Sequence, residues 1–154
     1  MPISPLLYPQ ETDYSCVPAC IRTVLGHYGV LITEEEAANL CGCTVEGTGQ
    51  RGLEKAARVL CENGFPGTAV AQPGIDELRT ELDRGNFPIV FIKTRATPLA
   101  VFRELHAVVI AEIGESVRVL DPAPARGEQI MVLDAFLEEW ELARRITLVI
   151  RGKV

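Results

Sequence analysis

The prevailing hydrophobic period of this chain changes near Gly85, and that change limits the fold more than any other feature. Before it, apolar residues recur every three or four positions. Val17, Cys20, Ile21, Val24, Leu25 and Tyr28 mark one face of a helix that begins near Cys16 and ends at Gly29. Pro18 is tolerated only in a first turn, which fixes the helix start. "TEEEAANL" carries Thr33 and Glu36 at capping-box spacing and predicts a second helix to about Leu40, with Glu34, Glu35 and Glu36 as a solvated first turn that suits the helix dipole. A third helix turns Leu53, Ala56, Ala57 and Leu60 inward and stops at Asn63-Gly64. A brief strand near Thr68 to Ala71 and a short helix from Ile75 to about Arg84 follow.

Beyond Gly85 the period falls to two. "FPIVFIKT", "LHAVVIAEI", "SVRVLDP", "QIMVLD" and "RITLVI" are β-branched runs broken by turn residues, with one helix, "DAFLEEWELA", before the last. A helical part over about 10–85 and a mainly antiparallel sheet part over about 86–151 predict an α+β fold. The sequence shows no repeat, low-complexity tract or linker. At 154 residues and 47% hydrophobic content the chain can bury one sizeable core, so a single domain over 1–154 is expected.

Charge and composition remove several classes of function. A net charge of −6 and a pI near 5.0 disfavour a nucleic-acid or anionic-membrane surface, which needs clustered Lys and Arg. No stretch approaches a membrane span, and "MPISPLLYPQ" lacks the basic start and long apolar core of a secretory signal, so a cytoplasmic protein is expected. In that compartment the five cysteines are expected as thiols. Neither Cys16-x3-Cys20 nor Cys41-x-Cys43 has the CxxC spacing of a zinc ribbon, and no histidine stands at ligand spacing to either. No metal and no cofactor are expected.

A peptide or small-molecule partner remains, and "QETDYSCVPAC" points to the chemistry. Cys16 falls at a helix start, where unpaired N–H groups and the positive dipole end favour a thiolate, the reactive form of cysteine. Position alone is weak evidence, because free cysteine is also a common buried residue. A nucleophile needs a base, and the chain has two histidines. His27 lies in the last turn of the same helix, about 16 Å from Cys16 by helical rise, too far to share a proton. His106 begins "LHAVVIAEI", where it is either a satisfied core histidine or a placed base.

Register separates these two readings. If "IGES" is a hairpin with Gly114-Glu115 as its two-residue loop, Ile113 pairs with Ser116 and Val108 faces Asp121. His106 and Asp121 then share a face as diagonal neighbours about 7 to 8 Å apart at Cα, within reach of a carboxylate–imidazole bond. A four-residue loop keeps this register and a three-residue loop spoils it. Pro122 ends the strand and holds Asp121 at its edge. Cysteine, base and orienting carboxylate make the set that papain-like peptidases use. The side-chain amide of Gln10, six residues before Cys16, could join the Cys16 backbone N–H in stabilising an oxyanion.

In order, "Q-x5-CVPACIRTVLGHYG", "GTGQRGLEKAARVLCENGF", "FPIVFI", "LHAVVI", "VRVLDP" and "FLEEW" resemble the bacteriocin-processing peptidases over about Gln10 to Ile150. These are papain-like cysteine peptidase domains that remove double-glycine leader peptides. The resemblance implies Cys16 as nucleophile, His106 as base, Asp121 as orienter and Gln10 as oxyanion-hole residue. It also implies cleavage after a small pair such as Gly-Gly, and the residues together lead to the expectation of a standalone cysteine peptidase that acts through a thioester acyl-enzyme. Two features depart from the family: Ser15-Cys16-Val17 replaces a frequent Asp-Cys-Gly, so that Val17 is expected to narrow or reshape the cleft, and no transporter or ATPase is encoded. Two other functions fit the same residues, a silent peptide-binding module and an acyl or amide transferase.

Overall fold

The computed structural model describes residues 4–93 and 105–152. Among the described residues, five helices and six strands follow one another as α1 (Cys16–His27), α2 (Glu34–Cys41), α3 (Gln50–Glu62), β1 (Ala69–Ala71), α4 (Ile75–Asp83), β2 (Ile89–Lys93), β3 (Leu105–Ile113), β4 (Ser116–Asp121), β5 (Gly127–Val132), α5 (Leu133–Leu142) and β6 (Thr147–Val149). The strands form one antiparallel sheet in the order β1-β6-β2-β3-β4-β5. The fold is α+β, as the change of period predicts.

Alternation along β2 explains why the sheet is covered on both sides. Ile89 and Phe91 join one apolar cluster while Val90 and Ile92 join the other, because successive side chains leave a strand on opposite faces. The first cluster takes Val17, Cys20, Ile21 and Val24 of α1, Ala37 and Cys41 of α2, and Leu53, Ala56 and Leu60 of α3. The second takes Leu78 of α4 and Phe136 and Trp140 of α5. One helix of the N-terminal half, α4, thus crosses to the face that the C-terminal helix covers. Trp140 and Phe136 stack at 5.5 Å, and the indole Nε1–H donates to Thr147 Oγ1 at 3.3 Å. Fully burying either aromatic stabilises the fold by about 2 kcal/mol or more.

Local chemistry sets the helix ends. Thr33 caps α2 through Glu36 N, and Glu36 returns a bond to Thr33 N, the capping box that the spacing predicts. Gly42 closes α2 in a left-handed conformation with φ 59°. At Gly52 a Cβ would stand 2.2 Å from the Cys41 carbonyl oxygen, so the α2–α3 crossing requires glycine there.

Several boundaries differ by a residue or two from those read in the sequence. The fifth strand ends at Val132 and α5 starts at Leu133, one residue before the expected Asp134, because backbone geometry at Val132 makes the cap without a side-chain bond. Of the run "FPIVFIKT", Ile89–Lys93 is strand, and Thr94 lies outside the described residues.

Candidate active site

Helix α1 begins without a side-chain cap. Ser15 stands at the N-cap position with φ −101° and ψ 31°, but its hydroxyl makes no bond to the helix. It turns back instead. Ser15 Oγ accepts from Thr12 N at 3.0 Å and from Thr12 Oγ1 at 2.8 Å, and donates to the Thr12 carbonyl at 3.2 Å. The first intrahelical bond runs from Ala19 N to Ser15 O at 3.1 Å. Pro18 has no N–H, so those of Cys16 and Val17 are left at the helix end, beside a half-buried thiol. Val17 itself is 2% exposed and packs into the first core cluster, so it offers almost no surface to narrow a cleft.

The loop before Cys16 is held from three directions. Gln10 N donates to Pro122 O at 2.8 Å, which ties the loop to the residue after Asp121. Glu11 N donates to Glu34 Oε1 at 2.8 Å. The Gln10 amide donates through Nε2 to the Thr12 carbonyl at 2.8 Å, while its Oε1 is buried without a hydrogen-bond partner among the described residues. A buried acceptor left unpaired costs about 1–3 kcal/mol, which suits a side chain kept for something other than stability.

His106 and Asp121 come from the neighbouring strands β3 and β4, and the hairpin reaches its register by an unexpected route. Ile113 pairs with Val117, not Ser116, so the loop is the three-residue form that by itself would spoil the register. Between Ile110 and Glu112 the register shifts, with Ala111 as the extra residue of a β-bulge. The shift cancels the turn. Ile110 then pairs with Val119 and Val109 with Leu120, which sets Val108 opposite Asp121 and leaves His106 and Asp121 on one face.

Asp121 is 5% exposed, and its Oδ1 lies 2.5 Å from His106 Nε2. The same oxygen accepts from Ala123 N at 2.9 Å, and Oδ2 lies 3.5 Å from Arg126 Nε. Because a carboxylate only accepts, the imidazole proton sits on Nε2 and Nδ1 is left for the thiol. Burial works against charge on the ring. Hydrogen bonds to Asp121 and to Cys16, with their negative charges, outweigh it and raise His106 to about 9. Burial also opposes charge on Asp121, but the His106 bond, the Ala123 N–H and the charges of His106 and Arg126 hold its carboxyl below the usual value. The structure therefore brings Cys16, His106 and Asp121 together, with the Gln10 loop bonded to the end of the Asp121 strand.

The remaining candidates fall elsewhere. Cys20 is fully buried, and burial, with the negative charges of Cys16 and Asp121 adding to it, pushes its thiol well up. Burial also raises Cys41 and Cys43. His27 packs edge-on against Phe87 at 4.7 Å, at the far end of α1. No group of three or more His, Cys, Asp or Glu among the described residues could hold a metal. An open groove lined by Gln50, Glu54, Ala57, Val70, Gln72 and Ile146 lies away from the cysteine and the histidine.

Three contributors were not read from the sequence. Glu34 is 7% exposed and bonds Glu11 N, so it is not part of a solvated turn with Glu35 and Glu36. Its signal was spacing: Glu34, Ala37 and Cys41 stand at i, i+3 and i+7 on the buried face of α2. Arg126 reaches Asp121 across the β4–β5 turn, and Ser15 anchors Thr12. Neither leaves a sequence pattern.

Comparison with known proteins agrees with this architecture. The chain superposes on the peptidase domain of Streptococcus ComA, a bi-functional ABC transporter involved in a quorum-sensing pathway, with a TM-score of 0.75 and 22% identity, over 96% of this chain and 98% of that one. A C39-like peptidase from Bacillus anthracis gives a TM-score of 0.73 at 15% identity, over 96% of both chains. A double-glycine-motif protease from an AMS/PCAT transporter, in complex with its leader peptide, gives 0.68 at 17%, over 97% and 93%. At these identities the likeness is one of fold. In sequence, the chain is 30% identical over 132 residues to the lactococcin-G-processing and transport ATP-binding protein LagD of Lactococcus lactis subsp. lactis, covering 85% of this chain and only 17% of LagD. It is 35% identical over 118 residues to an uncharacterized protein of Methanothermobacter thermautotrophicus, covering 76% of this chain and 71% of that protein. The peptidase C39 family model matches residues 6–151, and the chain belongs to that family.

Proposed function

We propose that this chain is a cysteine peptidase in which Cys16 is the nucleophile, His106 the general base and acid, Asp121 the orienter and Gln10 an oxyanion donor. The observation that carries the reading is the 2.5 Å contact between His106 Nε2 and Asp121 Oδ1, made beside a thiol at an uncapped helix start. Membership of a cysteine peptidase family supports it.

In this mechanism the Cys16 proton passes to His106 Nδ1 and the sulfur attacks the scissile carbonyl carbon. A ring raised to about 9 keeps that proton at neutral pH and can deliver it later. Negative charge that develops on the carbonyl oxygen meets the Cys16 backbone N–H and Gln10 Nε2. As the tetrahedral intermediate collapses, the C–N bond breaks, His106 protonates the leaving amine and a thioester remains. Water then attacks the thioester with His106 as base, which releases the acid and restores the thiol. Asp121 keeps its charge throughout, fixing the ring and stabilising its protonated form.

Substrates of this reading are extended peptides with a small pair such as Gly-Gly before the scissile bond, since glycine lets the backbone pass where a Cβ would clash. Two relatives bear names that match: LagD is a processing protein, and the AMS/PCAT enzyme is a double-glycine-motif protease. The test is a peptide library cut by wild type and by Cys16→Ala. Cleavage after glycine or alanine that disappears in the variant is the expected result. A preference for large or charged residues there removes the small-residue claim, and cleavage that survives in Cys16→Ala removes the nucleophile.

A further inference from the structure

We infer that Ser15 is a positioning residue, which orients the Gln10 carboxamide through the Thr12 carbonyl. The inference rests on the reading of Cys16 as nucleophile and Gln10 as oxyanion donor. The Gln10 amide makes a single side-chain hydrogen bond among the described residues, from Nε2 to the Thr12 carbonyl. Its Oε1 is buried and unpaired, so nothing on that side fixes which way the amide plane faces. The Thr12 carbonyl therefore sets the direction of the second Nε2 hydrogen, the one left for an oxyanion.

Thr12 is in turn held by Ser15. The Ser15 hydroxyl meets Thr12 three times, at its N–H, its hydroxyl and its carbonyl, and is 3% exposed. This use of the hydroxyl is not the ordinary one. A serine before the first helical residue usually accepts from the second or third helical N–H, and such a cap is worth about 1 kcal/mol to the helix. Ser15 forgoes that bond and closes the four-residue span from Thr12 to Ser15, leaving the first turn of α1 without a side-chain cap. A single hydroxyl thus does two things: it fixes one oxyanion donor at second hand, and by its absence from the helix end it leaves the other free.

The test separates reactions that develop an oxyanion from one that does not. p-Nitrophenyl acetate acylates a nucleophilic cysteine through a tetrahedral oxyanion and needs no peptide recognition, whereas iodoacetamide alkylates the same sulfur by displacement without one. Both rates are measured at Cys16 in wild type, Ser15→Ala, Ser15→Thr, Gln10→Ala and the double variant Gln10→Ala/Ser15→Ala, with Cys16→Ala as background and thermal melts as the check on folding. Losing an oxyanion donor costs about 10²- to 10³-fold, so Gln10→Ala is expected in that range and Ser15→Ala, which only misdirects it, at about tenfold. Iodoacetamide rates should be unchanged in both, Ser15→Thr should regain the acylation rate, and the double variant should be no slower than Gln10→Ala alone. Losses that multiply in the double variant, or a Ser15→Ala loss equal for the two reagents, overturn the inference while leaving the nucleophile intact. A wild type not acylated at Cys16 overturns the nucleophile reading itself, and this inference with it.

Discussion

The Glu81–Arg151 and Asp121–His106 pairs, each built on a buried carboxylate, differ in what they leave open. Glu81, 8% exposed, takes Arg151 through Nε at 3.1 and 3.2 Å and through Nη2 at 2.7 Å, and Asn86 Nδ2 at 2.9 Å. Arg151 also donates through Nη1 to the Gly67 carbonyl at 2.5 Å, and Tyr28 Oη donates to Asn86 and lies 3.1 Å from Ile150 O. These bonds run to other groups of the fold and join α4 to the chain beyond β6. Asp121 and His106 are bonded as closely, but the ring also bonds Cys16, which leaves one side of the pair turned away from the scaffold. A satisfied pair stabilises, whereas a pair that also bonds a thiol has the arrangement that the proposed chemistry needs.

The largest effect expected from this contrast is at the open pair. Asp121→Asn keeps size and shape but can donate to the ring where the carboxylate only accepted, so the imidazole is held in the wrong tautomer. Peptide turnover should fall by about 10²- to 10⁴-fold with little change in melting temperature. Unchanged turnover would remove Asp121 from the mechanism.

At the closed pair the sign reverses: Glu81→Gln should leave turnover intact and cost stability. The bidentate Arg151 bond is the main reason that the Glu81 carboxyl is lowered, and losing it should cost about 1–2 kcal/mol, discounted because Arg151 is partly exposed and screened. A lowered carboxylate contributes stability above its unfolded value near 4.5, and that contribution disappears as pH falls through the folded value. Denaturation of wild type and Glu81→Gln at neutral and acid pH should therefore diverge at neutral pH and converge in acid. A gap that persists in acid would mean that packing, not charge, holds Glu81.

A smaller effect separates the pairs by pH. His106 is raised from 6.5 to about 9, so its share of stability is complete below about 6.5 and is lost as pH rises through about 9. The basic limb of kcat/KM should report His106 in that region. With Asp121→Asn the limb should move to lower pH, because the strongest interaction raising the ring is gone. A limb that stays in place would assign the titration to another group.

The same contrast explains what could be read from the sequence. Periodicity carries helix and strand faces directly, which is why Val17 to Leu25, Leu53 to Leu60 and the alternation in β2 and β3 were legible, as was the Thr33–Glu36 box. The His106–Asp121 register was reached through a turn that does not exist, and it survives because the Ala111 bulge adds back the residue that the three-residue loop displaces. A bulge is a matter of two residues opposing one, and no residue type here announces it. Ser15, Glu34 and Arg126 act across turns or between elements. A hydroxyl that declines to cap its own helix looks in sequence like any N-cap serine.

Reaction with a thiol-directed probe tests the central claim most directly. Wild type and Cys16→Ala are treated with a peptide ending in Gly-Gly that carries a vinyl sulfone, then weighed intact and mapped. The account predicts one adduct on wild type, at Cys16, and none on Cys16→Ala, because Cys20, Cys41 and Cys43 are raised by burial and lack a histidine partner. An adduct at Cys43 or Cys61 that persists in Cys16→Ala, with Cys16 unmodified in the wild type, would contradict it.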